Sequence, residues 1–373
     1  MPEMFEKAAI RGMTLRNRLV RSATWEGLAA EDGSVTDTLV DMLRDVARGG
    51  AGLVIPGFAL IGLDGKGLPR GTGVFDDAQV PGLKRIADAL AAEGARSCLQ
   101  LVHCGARSDP DAIAGGAIHG PSAVPAREGG SVPVELDAGR IARIVWSFAE
   151  AARRAAQAGF DAVQIHAAHG FLVSQFLSPY FNRRTDAYGG SPKKRSRFAL
   201  EVLGAVREAV GPDFPVLAKL NGEDFSVPGM TAWEAEQTAV LLEKAGLDAV
   251  EVSGGIPAAG GLGASRTGIR AGADEAYFAP QARRIREAVG IPVILTGGLR
   301  SLPAIERVLG EGACDLVGLS RPLIREPDLV ERWRSGDREP ARCISCNRCA
   351  QAGREGRGVH CVVEEEERVN QGI

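Results

Sequence analysis

The sequence predicts an α/β protein, a (β/α)8 TIM barrel over residues 1–335 followed by a short cysteine-rich extension over 336–373. Three observations carry this. Eight short runs, aliphatic or β-branched and continuously apolar, recur along the chain, as strands covered on both faces do. Helical stretches that stop at glycine alternate with them, which leaves a closed barrel or an open doubly wound sheet. The count of eight favours the barrel. So does the lack of a G-x-G-x-x-G after the first strand and of any G-x-x-x-x-G-K-[ST].

The strands are expected at 18–21, 52–55, 97–101, 162–166, 216–220, 249–253, 293–296 and 316–319. The helices are expected at 36–47, 81–92, 135–158, 192–210, 231–245, 278–289 and 302–309. Local chemistry places their ends. Ser191 is a good N-cap with Pro192 at the first helical position, and Gly246 fits a C-cap after the fifth helix. No break in composition appears before about residue 335.

Composition bounds the partners. With 373 residues and a net charge of -3, neither nucleic acid nor a membrane surface is an expected partner. No apolar run approaches the ~20 residues that span a bilayer, and the N-terminal stretch lacks the apolar core of a signal peptide. A cytoplasmic homo-oligomer acting on a small molecule is expected. Cys98, Cys104 and Cys314 sit in surroundings typical of buried thiols. Cys343, Cys346, Cys349 and Cys361 cluster near the C-terminus, and in a cytosolic chain that is a metal-site pattern before it is a disulfide pattern.

The chemistry centres on residues 165–191, IHAAHGFLVSQFLSPYFNRRTDAYGGS. A buried strand ends on His166, and His169 follows one helical step later. A lone histidine is most often a core or surface residue. Two at this spacing, where a strand gives way to a loop, suit a grip on a ligand oxygen or anion. The glutamate of a zincin His-Glu-x-x-His is missing. Catalytic groups of a barrel project from the C-terminal ends of its strands. Those ends offer Ser22 to Trp25, Gly57, Gln100 with His103, the histidine pair, Lys219, Ser253, Gly297-Gly298 and Ser320-Arg321. The turns after strands 7 and 8 are the usual phosphate site of this fold, where glycine lets backbone N–H groups approach and Arg321 can bridge two oxygens. The plainer alternative is a tight turn beside a surface charge.

These pieces resemble a known family. NRLVRSAT at 17–24, LQLVHCGAR at 99–107, the central stretch, LTGGL at 295–299 and VGLSRPLIREPDL at 317–329 are similar to the old yellow enzymes, FMN-dependent barrels of the NADH:flavin oxidoreductase family. The resemblance implies FMN as cofactor and NAD(P)H as reductant. It places Ala23, Thr24 and Gly57 against the flavin ring and Gln100 at its pyrimidine end. Lys219 falls at the N1–C2=O edge, and Gly298, Ser320 and Arg321 at the phosphate. His166 and His169 match the pair that holds a substrate carbonyl or phenolate oxygen, with His166 also beside the flavin. The implied reaction is hydride transfer from reduced flavin to the β-carbon of an α,β-unsaturated carbonyl.

Three departures qualify it. Phe171 stands where the family usually has a proton-donating Tyr, and losing a general acid typically costs about 10²–10⁴-fold in rate. Tyr180, Tyr277 or water are the candidate replacements. Trp25 stands where Cys or Thr is common, and reads equally as a pocket wall or a core aromatic. The spacing C-x2-C-x2-C-x11-C resembles the [4Fe-4S] motif of the dienoyl-CoA reductase and trimethylamine dehydrogenase branch, whose further nucleotide domain does not fit in this chain's 373 residues. Four thiolates suit iron–sulfur or zinc, with His360 as a substitute ligand. Other readings of the barrel are flavin-dependent oxidation or demethylation, an electron-transfer subunit, and a phosphate-binding lyase that would use Lys219.

Overall fold

The computed structural model describes residues 3–113 and 115–371. Its eight barrel strands are β1 (Leu19–Arg21), β2 (Leu53–Val54), β3 (Arg96–Val102), β4 (Ala162–Ala167), β5 (Val216–Asn221), β6 (Ala249–Ser253), β7 (Val293–Thr296) and β8 (Leu316–Leu319). Each pairs in parallel with the next, and β8 returns to β1 through Val317–Leu19 and Leu319–Arg21, so the sheet closes. Around it run α1 (Asp37–Arg48), α2 (Val80–Ala92), α3 (Ala138–Gln157), α4 (Arg197–Val210), α5 (Ala232–Lys244), α6 (Ala279–Ala288) and α7 (Leu302–Gly310).

The expected boundaries fail in two places, each for a local reason. The helix expected from residue 135 starts at 138: Val134–Glu135 pairs with His119–Gly120, and the Asp137 side chain caps the helix by accepting from the Arg140 N–H. The helix expected over 192–210 is two pieces, Pro192–Arg195 and α4. At the break, the Ser196 hydroxyl donates back to Pro192 O, a bond that competes with the helical ladder.

Period-2 alternation sorts the barrel interior into layers. The lower layer is Val20, Leu53, Cys98, Ala162, Leu217, Ala249, Ile294 and Leu316. An antiparallel hairpin, Ala8–Ile10 with Met13–Leu15, plugs it from below by burying Ile10, Met13 and Leu15. Each of these large side chains stabilises the closed bottom by roughly 1.5–3 kcal/mol. Two residues further along, six of the eight strands present polar side chains, Ser22, Gln100, Gln164, Lys219, Glu251 and Thr296, with Ile55 and Gly318 on the other two. The barrel is therefore greasy at its base and polar beneath its mouth.

The C-terminal extension lies against that mouth. The Ala341 N–H donates to Arg300 O and the Val359 N–H to Glu26 O, at 2.8 and 2.7 Å. Its helix Arg348–Arg354 brings Gly353 against Trp25, where a Cβ would sit 2.8 Å from the indole. Among the described residues no helix is long and apolar enough to cross a membrane.

Candidate active site

A cavity with about 850 Å³ of empty space opens at the C-terminal ends of the strands. Ala23, Thr24, Gln100, His166, Lys219, Gly298, Ser320 and Arg321 all line it, as do Trp25, His169, Phe171 and Tyr277. Two expected residues do not. The Gly57 N–H donates to Glu26 Oε1 at 2.7 Å, and a Cβ there would meet Glu26 Oε2 at 2.1 Å, so Gly57 seats the buried Arg21–Glu26 ion pair instead. Tyr180 packs on Phe181 outside the lining. Tyr277 reaches the cavity, but its hydroxyl donates to Ala264 O at 2.8 Å and its ring covers the Gly297-Gly298 turn.

The floor is a buried polar knot. Glu251 is fully buried. Its Oε1 accepts from Ser22 and Thr296 at 2.6 Å each and pairs with Lys219 Nζ at 3.1 Å, while Oε2 accepts from Gln164 Nε2 at 2.8 Å. Gln100 Nε2 in turn donates to Gln164 Oε1 at 2.6 Å. Burial pushes the Glu251 carboxyl up, but the Lys219 ammonium and these three donors outweigh it and hold the group below the usual carboxylate range. Glycine is obligatory at 318 because the knot fills the space: a Cβ would lie 2.0 Å from Thr296 Oγ1. Sequence reading missed Glu251 and Gln164, although both fall on the inward parity of strands whose Ser253 and His166 it had placed.

The two imidazoles converge above this floor, ring centroids 5.2 Å apart and nearly perpendicular. His166 Nδ1 accepts from the Ala168 N–H, so Nε2 carries the proton. His169 sits at φ 61° with its N–H on Asn221 Oδ1 and its Nε2 2.8 Å from Ser253 Oγ. Gly170 follows at φ 72°, and the paired left-handed residues turn the chain sharply from β4 into the helix Leu172–Leu177. Burial holds both imidazoles well below their ordinary value, with Lys219 and Arg107 adding repulsion at each and His169 at His166. They are therefore neutral donors.

The sign of the resulting linkage is fixed. The unfolded chain binds more protons than the folded one below about pH 6.5, so stability falls as pH drops through that value. Thermal midpoints measured between pH 7.5 and 5 should show this decline, and it should be shallower in His166→Asn. Equal slopes in both proteins would rule the pair out as its source.

Phe171 packs on His166 and Phe58, centroids 4.6 and 5.4 Å away, and with Trp25, Phe58 and Val359 it forms the apolar wall. Trp25 is thus both core aromatic and pocket wall, its Nε1 donating to Pro69 O. At the opposite end Gly298 takes φ 77°, and Thr24 and Ser320 share a hydrogen bond of 2.6 Å. Arg321 Nη1 donates to Arg266 O and Asn347 Oδ1 at 2.8 and 2.6 Å. Arg300, which sequence reading passed over, ties this turn to the cysteine segment through Cys343 O at 2.5 Å.

Cys343, Cys346, Cys349 and Cys361 share the walls of one small cavity, and Arg321 lines both this cavity and the larger one. Among the described residues no group of three or more His, Cys, Asp or Glu side chains is placed to hold a metal ion. His360 points to Glu365 at 3.0 Å and is not among the residues lining the cysteine cavity.

The sequence profile of the NADH:flavin oxidoreductase / NADH oxidase family matches residues 3–339. The chain belongs to that family. It is 40% identical over 98% of its length to a metal reductase of Desulforamulus reducens, and 36% identical over 93% to an NADH oxidase of Thermoanaerobacter brockii. It spans about half of these two relatives, 54% and 53%. A 4,4'-dithiodibutanoate disulfide reductase of Rhodococcus erythropolis is 34% identical over 93% of this chain and 92% of its own. Among solved structures, a 2-naphthoyl-CoA reductase superposes with a TM-score of 0.85 at 28% identity, covering 92% of this chain and 54% of that one. Morphinone reductase superposes with 0.77 at 29% identity, covering 92% and 93%.

The cavity suits the FMN that this family membership supports. It has an amide, Gln100, and a cation, Lys219, at one end. At the other a left-handed glycine turn stands beside Arg321 and Arg300. Those donor types match a pyrimidine edge and a phosphate.

Proposed function

We propose that this NADH:flavin oxidoreductase family member is an FMN-dependent enzyme that uses NAD(P)H to reduce an activated alkene, an α,β-unsaturated carbonyl. The observation that carries the reading is the pair His166 and His169, neutral and convergent over a cavity whose floor holds the buried Lys219–Glu251 pair. FMN when bound supplies hydride chemistry. The rest falls to the chain. Gln100 and Lys219 orient the pyrimidine edge, and Lys219 favours negative charge there. Gly298, Ser320 and Arg321 hold the phosphate. His166 and His169 donate to the carbonyl oxygen and withdraw electrons from the alkene, while Trp25, Phe58 and Phe171 keep water from its apolar side. With Phe171 unable to donate, the Tyr277 hydroxyl bonded to Ala264 O and Tyr180 absent from the cavity lining, water is the proton source at the α-carbon.

Phe171 also favours a second reading, flavin-dependent oxidation or electron transfer, which needs no such donor. The lyase alternative needs Lys219 as a free Schiff-base amine, and Lys219 is held by Glu251 and Ser22 at 3.1 and 2.9 Å. The deciding experiment is anaerobic mixing of the purified protein with NADH or NADPH, then with an enone such as cyclohexenone. Bleaching of flavin absorbance, reversed by the enone with saturated ketone formed, is expected. Bleaching that only another oxidant reverses would favour the second reading, and no flavin absorbance would end both.

We further propose that the four C-terminal cysteines bind a metal centre, iron–sulfur or zinc. Their sharing of one cavity beside Arg321 supports it. Metal analysis of anaerobically purified protein should find iron with acid-labile sulfide and a broad brown absorbance, or about one zinc per chain. Neither metal would refute the proposal.

A further inference from the structure

The cysteine segment reaches back to the barrel mouth through residues that are not cysteines. Ser345 is fully buried and Asn347 half-buried, and both take left-handed backbone, at φ 54° and 62°. Asparagine tolerates that conformation, but a serine in it is strained and stays only where its surroundings hold it. Here they do. The Ser345 hydroxyl accepts from Arg300 Nη2, Cys343 O accepts from Arg300 Nη1 at 2.5 Å, and the Gly268 N–H donates to Ser345 O at 3.3 Å. Arg300 stands in the turn after β7 and is itself 3% exposed, so the segment is fastened to a rigid part of the barrel.

These bonds fix where Asn347 stands. Its side chain joins two residues that line the main cavity: Oδ1 accepts from Arg321 Nη1 at 2.6 Å, and Nδ2 donates to Ser265 O at 2.7 Å. Arg321 Nη1 also donates to Arg266 O at 2.8 Å. Arg321, Asn347 and the backbone at 265–266 thus close a small ring of hydrogen bonds. Both Arg321 bonds use Nη1, which leaves Nε and Nη2 for a ligand of the cavity that Arg321 lines. A long side chain loses rotamer freedom when it grips an anion. One that is already held loses less and binds more tightly for it.

We infer that Asn347 is a positioning residue for the flavin phosphate: from between Cys346 and Cys349 it holds Arg321 in the orientation that receives the phosphate. Arg300 and Ser345 fasten it there. The inference rests on the FMN reading of the cavity. It gives the cysteine segment a role in completing the cofactor site, whatever the cysteines themselves hold. Linkage is reciprocal, so phosphate binding in turn steadies the segment.

FMN and riboflavin separate the phosphate from the ring. The full-length protein, freed of flavin, is titrated with each, and quenching of flavin fluorescence gives the two affinities. Asn347→Gly removes the side chain and suits the left-handed backbone. It should lower the preference for FMN over riboflavin about 10-fold, the scale of a hydrogen bond to a charged group, and leave riboflavin affinity unchanged. In an Arg321→Met background the same substitution should have no further effect, because the group it positions is gone. An unchanged preference overturns the inference. So do equal losses for both flavins, the mark of a displaced segment, since Gly353 of that segment also packs on Trp25. A loss that recurs undiminished in the Arg321→Met background overturns it as well. A wild type that binds neither flavin ends the FMN reading itself and this inference with it.

Discussion

Replacing His166 by Ala or His169 by Gly is expected to lower kcat/KM for an enone about 10²–10³-fold each, the effect of deleting one donor to a developing oxyanion. The choice of glycine matters. His169 stands at φ 61°, where a side chain is strained by roughly 1–2 kcal/mol and glycine is not. His169→Gly therefore removes the ring without adding strain, and lost activity cannot be blamed on a distorted turn. The Asn221 side chain still receives the residue 169 N–H, so the backbone path keeps its anchor. Phenol affinity should fall in parallel, since a phenolate and a polarised carbonyl use the same two donors. Because the two act on one oxygen, the double variant should lose less than the product of the single losses. Single variants that keep both phenol affinity and turnover would remove the pair from the chemistry and with it the alkene-reductase reading.

Much of this arrangement was legible before any coordinates. A barrel's strands are buried on both sides, so β4 to β8 announced themselves as short apolar runs, and the fold rule then pointed to their C-terminal ends. Ala23, Thr24, Gln100, His166, Lys219, Gly298, Ser320 and Arg321 meet in one cavity for that reason. What was not legible depends on distance between strands. Glu251 reads in sequence as one acid in a valine-rich strand. Only the register that sets Lys219 opposite Glu251 and beside His166 shows that it neutralises the floor. Gly57, which the resemblance implies beside the flavin ring, keeps its N–H on Glu26 Oε1, a contact between two loops that sequence does not show. Tyr180 was drawn in by its place in the central stretch, but it packs on Phe181 and is not among the cavity-lining residues. The cysteine spacing was visible; whether four thiols converge is set by side-chain placement that spacing alone does not fix.

The largest stability effect should come from the floor. Lys219 and Glu251 are 2% and 0% exposed and 3.1 Å apart, so deleting one leaves the other as an unpaired buried charge. Lys219→Met should destabilise the protein by about 3–5 kcal/mol, the usual penalty for breaking such a pair. Glu251→Gln should cost less, because Lys219 keeps the Ser22 hydroxyl at 2.9 Å. The double variant should recover much of the Lys219→Met loss, since no isolated charge remains. Denaturant unfolding of the two singles and the double reads this directly, and a double less stable than Lys219→Met would contradict it. The same variants separate the electrostatic role from the structural one. In Glu251→Gln the ammonium is no longer neutralised, so the proposed flavin site holds more positive potential, favours the anionic reduced cofactor, and should show a raised midpoint potential. A tenfold change in that equilibrium is about 30 mV for two electrons. Lys219→Met should shift it the opposite way. Structural damage alone has no reason to move the potential in opposite directions for the two substitutions, so the sign of the shift, more than its size, tests whether Glu251 sets the charge felt above the floor.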